Sequence, residues 1–155
     1  MRAASHFKSC KIATVVLLTA LCPYVSTQCP QGWQAFEDSC YVFIIQPVAC
    51  MDAVIFCNKF GGNLVEITSE SKNAFVTKML NTTNMRSTWL GIHDLLQDGQ
   101  WQYFSSARPA TFFKWPEGTA SVTGPEGCAY LSHLGFWTRR GCAGWGHNFV
   151  CEQKI

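Results

Sequence analysis

The chain has 155 residues, with twelve Lys and Arg against ten Asp and Glu and 14% aromatic residues. Its basic excess comes from Arg2, Lys8 and Lys11; beyond residue 27 nine basic face ten acidic side chains. That near-neutral balance excludes charge-driven binding to nucleic acid or to a membrane surface. The three early cations precede the apolar run Ile12–Leu21, which Pro23 breaks. The run is too short to span a bilayer, which needs about 20 apolar residues in a helix. Residues 1–27 therefore read as a signal peptide, cleaved after Thr27 with Val25 and Thr27 at the −3 and −1 places. A secreted, extracellular single domain over 28–155 is the consequence, with no membrane span after signal removal.

In chain order, Cys40–Ile45 is β-branched and aromatic and predicts a strand. From Pro47 to Phe60, apolar residues recur at three and four (Cys50, Ala53, Val54, Cys57, Phe60), which predicts an amphipathic helix that Gly61-Gly62 stops. Leu64–Ile67 is a short strand. Thr68 and Ser69 cap a second helix running to about Leu80, with Ala74, Phe75, Met79 and Leu80 as its inward stripe. Trp89–Ile92 and Trp101–Phe104 read as strands around an Asp98-Gly99 turn. Ser105–Glu126, rich in Pro, Gly, Ser and Thr, is a long irregular loop. Cys128–Leu131, Gly135–Trp137 and Asn148–Cys151 are closing strands. The class is α+β: two helices, small antiparallel sheets and a long loop.

Seven cysteines lie beyond the signal peptide: Cys29, Cys40, Cys50, Cys57, Cys128, Cys142 and Cys151. An oxidising compartment pairs six of them, and spacing alone leaves the pairing open. No C-x-x-C occurs, which argues against zinc. Nor is there an H-E-x-x-H, a G-x-S-x-G or a phosphate loop, so no enzyme chemistry is indicated.

These pieces together resemble a C-type-lectin-like domain. The resemblance rests on Cys29-Pro-x-Gly-Trp33, Cys40-Tyr41, Cys57 with Gly61-Gly62-x-Leu64, Trp89-Leu90-Gly91-Ile92, Gly127-Cys128, Trp137, Cys142 and Phe149-Val150-Cys151-Glu152. It implies the long form of the domain, with disulfides Cys29–Cys40, Cys57–Cys151 and Cys128–Cys142. Cys50 stands where the family usually has Trp, and it is the unpaired cysteine. Two readings remain for it: a buried thiol, or a disulfide to a second chain giving a covalent dimer.

Sugar-binding members of the family hold Ca²⁺ on carboxylate and amide oxygens. Here the tripeptide after Trp115 falls near Thr119-Ala120-Ser121, and Glu117 offers one carboxylate if the register slips. Glu126 keeps its carboxylate before Cys128, but Thr138 and Arg139 replace the family's Asn-Asp. A cation in the cage opposes a divalent ion, so calcium is not expected at the sugar site and no cofactor is expected. An auxiliary calcium site would draw on Asp94 and Asp98. The ligand surface the resemblance implies is Glu126, Trp137, Thr138, Arg139 and Arg140, followed by Trp145 and His147, suited to sulfated or carboxylated glycans or to a protein epitope. Asn81-Thr82-Thr83 is a glycosylation sequon in an exposed turn. Two functions follow: a glycan-recognition protein, of a kind used in innate defence, or a protein-ligand or extracellular-matrix module that has lost sugar binding.

Overall fold

A computed structural model describes residues 28–117, 127–144 and 146–155. The signal-peptide segment, the Thr119–Ser121 position, Glu126 and Trp145 lie outside them. The elements are β1 (Gln34–Phe36), β2 (Ser39–Val48), α1 (Cys50–Lys59), β3 (Asn63–Leu64), α2 (Glu70–Thr82), β4 (Ser87–His93), β5 (Gln102–Tyr103), β6 (Cys128–Ser132), β7 (Trp137–Arg140) and β8 (His147–Lys154). The strands do not form separate small sheets. They join along the path β1-β2-β8-β4-β6-β7, with β3 on β8 and β5 on β4. The last strand lies between β2 and β4, and its contact with β4 (Thr88 opposite Asn148, Trp89 opposite Phe149) is parallel, so the sheet is mixed.

Side-chain alternation then divides the core. On β4, Leu90 and Ile92 join Tyr41, Val76, Leu80, Trp137 and Val150 on one face. Trp89 joins Cys50, Ala53, Cys57, Leu64, Phe149 and Cys151 on the other. Adjacent strand residues point to opposite faces, so one strand serves both cores, with α2 packed on the first and α1 on the second.

Both helices depart from the sequence expectation in an informative way. α1 begins at Cys50, because Pro47 and Val48 belong to β2. Pro47 sits where the β2–β8 register is interrupted between Ile44 and Val48, a place where a missing N–H removes no ladder bond. The helix closes at Gly61, whose φ of +72° lets Gly62 N–H reach back to the Cys57 carbonyl. α2 starts as expected, with Ser69 Oγ accepting from Lys72 N–H. Its inner face is Lys72, Asn73, Val76 and Leu80, with Ala74 exposed. Two polar residues turn inward because each has a partner. Lys72 Nζ is 2.6 Å from Glu152 Oε1, and Asn73 Oδ1 accepts from Trp137 Nε1 at 2.8 Å.

The three disulfides Cys29–Cys40, Cys57–Cys151 and Cys128–Cys142 are formed. Cys57–Cys151 closes a 94-residue separation and pins α1 to β8. Such a bridge contributes about 2–4 kcal/mol by restricting the unfolded chain. Of the two readings of Cys50, the structure favours the buried thiol. Its thiol is fully buried, and burial pushes it up to about 12, so a second chain's sulfur has neither access nor a thiolate to meet.

Candidate functional site

Past β4 the chain turns through Asp94–Gln100 before entering β5. Asp94 anchors this turn. Its N–H donates to the Gly127 carbonyl at 3.0 Å, and its Oδ2 accepts from Gly99 N–H at 2.8 Å. Gly99 has φ +78°, so the Asp98-Gly99 turn expected from sequence is present and uses the glycine's left-handed freedom. Gln100 N–H then closes the turn on the Gln97 carbonyl.

A guanidinium from across the sheet completes the arrangement. Arg139 on β7 places Nη2 2.9 Å from Asp94 Oδ2, and the same nitrogen donates to Asp98 Oδ1. The Arg139 side chain is 10% exposed and Asp94 is wholly buried, while Asp98 remains half in water. The guanidinium also lies over the Trp101 ring, 5.7 Å from its centroid. Trp101 packs on Trp115 at 5.1 Å, and Trp115 on Trp137 at 5.6 Å, so the ion pair rests against an aromatic wall.

This cage does not fit calcium. The ion needs six to eight oxygens, whereas Asp94 and Asp98 are both engaged by a fixed positive charge. Asp94 Oδ1 is buried without a hydrogen-bond partner among the described residues, but one orphaned oxygen beside a guanidinium does not make a coordination sphere. Among the described residues no group of three or more His, Cys, Asp or Glu could hold a metal. Asp94 and Asp98, the residues an auxiliary calcium site would draw on, are both paired with Arg139.

The expected ligand surface comes apart. Trp137 is fully buried, with its indole N–H on Asn73, and belongs to the core. Along β7, Trp137 and Arg139 face one side while Thr138 and Arg140 face the other, pairing with Tyr130 and Cys128 of β6. Arg139 and Arg140 therefore do not act together on an anion. On Arg140's side, His147 stacks on Tyr130 at 4.0 Å and Ser87 Oγ lies 2.6 Å from its Nδ1. Burial and the Arg140 charge push His147 down to about 4, a neutral ring serving the core. Asn81 lies in the last turn of α2, not beyond it. It is exposed, and its amide donates to the Thr77 and His133 carbonyls at 2.9 Å each, so a glycan on that nitrogen would displace one of these bonds.

Sequence reasoning missed a groove beside the cage. Trp101, Gln102, Ala107, Pro109 and Phe113 line a groove of about 530 Å³ together with Leu96, Gln97, Gly99 and Gln100 of the turn. In the sequence its trace is Gln100 and Gln102 flanking Trp101, with Gln97 three residues before Gln100.

The profile of the Lectin C-type domain matches residues 46–153. The chain belongs to the C-type lectin family. Human lithostathine-1-beta is 30% identical over 138 residues, covering 85% of this chain and 82% of that protein. Among solved structures, the mouse scavenger receptor C-type lectin carbohydrate-recognition domain has 29% identity and a TM-score of 0.70 over 82% of this chain and 98% of that one. The cow CD23 C-type carbohydrate-recognition domain, solved in the presence of a GlcNAc2Man3 oligosaccharide, has 27% identity and a TM-score of 0.74, over 84% and 98%. In this C-type lectin domain the described positions compared with calcium ligands, Asp94, Asp98, Thr138 and Arg139, supply an ion pair and an exposed hydroxyl.

Proposed function

We propose that this C-type lectin domain is a secreted, non-catalytic module that recognises glycans without calcium. The observation that carries the proposal is Arg139, a cation of the chain itself held between Asp94 and Asp98. A loop tied in this way has its shape before any ion arrives, and a pre-formed surface avoids the ordering cost of binding. Three disulfides suit an oxidising, extracellular compartment. Among the described residues no helix is long and apolar enough to cross a membrane. Relatives named as carbohydrate-recognition domains support glycans as the ligand class.

The test is a broad glycan array, probed with the purified protein in millimolar Ca²⁺ and again in chelator. Equal binding in both is the expected result. Binding that disappears with chelator contradicts the proposal, and silence in both replaces glycans with a protein ligand.

A further inference from the structure

We propose that the groove between the 96–102 turn and the 107–113 segment binds a neutral oligosaccharide; the inference rests on the glycan reading above and gives it a site. The groove floor is backbone. Gln102 bridges to Pro109, and Ala110 N–H donates to the Trp101 carbonyl at 2.9 Å, so this stretch is tied down. One wall is the turn that Asp94 and Arg139 hold in place. The other carries Ala107, at φ +54° in a tight reversal where Tyr103 N–H meets the Arg108 carbonyl, and the exposed ring of Phe113.

The lining chemistry selects the ligand. The exposed ring of Phe113 offers an apolar plate, and Trp101, already packed against Arg139 and Trp115, completes the lining. Three amides, on Gln97, Gln100 and Gln102, form no side-chain hydrogen bond among the described residues and keep both donors and an acceptor for hydroxyl groups. No charged side chain lines the space, and Arg139 is already committed to two carboxylates. A ring for a C–H face, amides for hydroxyls and no charged lining side chain together suit an uncharged sugar. A volume of about 530 Å³ lies within the roughly 300–1,000 Å³ of small-molecule sites. The site is separate from the Asp94–Asp98 cage, which contributes rigidity and no ligand contact.

The experiment compares wild type with Gln97→Ala/Gln100→Ala, two exposed side chains, and with Phe113→Ala, whose ring also packs on Trp115 and Trp137. Each is titrated without calcium against neutral glucan, mannan, galactan and chitin fragments and against sulfated fragments, with thermal unfolding as the control on folding. Wild type is expected to prefer neutral probes, and each variant to bind them about tenfold more weakly, the glutamine pair at an unchanged unfolding midpoint and Phe113→Ala at a midpoint that still leaves it folded at the assay temperature. Variants that bind neutral fragments as wild type does would overturn the groove while leaving glycan recognition standing. A wild type that binds only sulfated fragments would do the same. A wild type that binds no fragment ends both readings.

Discussion

Two cations of the chain sit where the fold gathers carboxylates, and their surroundings differ. Lys72 reaches from α2 to β8 with both partners nearly dry: side-chain exposures are 5% for Lys72 and 8% for Glu152. Its Nζ also donates to the Glu66 carbonyl at 2.9 Å. The Glu152 oxygens in turn accept from Tyr41 Oη and Glu66 N–H. Arg139 reaches from β7 to a loop, with one buried partner and one half-exposed partner. The first contact joins a helix to the central sheet, and the second sets the shape of a surface turn. Charge pairing in one fold thus serves stability in one place and local order in another, and burial of both partners decides which.

The comparison can be broken by removing each cation. Lys72→Met removes the near countercharge of the buried Glu152 carboxylate, leaving Lys154 Nζ at 4.0 Å, and is expected to cost about 3–5 kcal/mol in urea unfolding. The double variant Lys72→Met/Glu152→Leu is expected to recover most of that loss, since a well-packed apolar pair often matches a buried ion pair. A single variant costing no more than a surface substitution would contradict the assignment. Arg139→Ala is expected to cost less, about 1–3 kcal/mol, because Asp98 can turn to water while Asp94 cannot. Hydrogen exchange should rise across 94–101 and remain unchanged in α2. Faster exchange in α2 as well would mean the two regions are coupled.

A third, smaller effect lies on the other face of the sheet. His147 titrates at about 4 in the folded chain against about 6.5 when unfolded. The unfolded state therefore binds the proton first. The stabilisation is complete above pH about 6.5 and is lost as the pH falls towards 4. The ring is only half-buried, so the loss is expected to be about 1–2 kcal/mol, well below the full value of the shift. His147→Gln should flatten this part of the stability profile, and an unchanged slope would assign it elsewhere.

What was legible in the sequence follows from the range of the forces involved. The Ser69 cap and the Gly61 stop act within a few residues, and both helices are present with boundaries close to those expected. The face α2 buries was misread because Lys72 and Asn73 look like surface residues until Glu152 and Trp137, 80 and 64 positions away, arrive beside them. The ligand surface was misread for a simpler reason. The expected strand ended at Trp137, whereas β7 continues to Arg140, and its alternation sends Arg139 and Arg140 to opposite sides. The cage required knowing that β7 crosses behind the 94–100 turn, a matter of topology that periodicity does not carry.

The most direct test of the chain-supplied cation is the thermal unfolding midpoint of the wild-type protein in millimolar Ca²⁺ and in chelator. A ligand that binds only the native state raises that midpoint by mass action. Coincident midpoints are predicted, because the Arg139 guanidinium already sits between Asp94 and Asp98 and opposes a second cation there. A rise of several degrees in calcium would show that the native domain takes up the ion and would contradict the account.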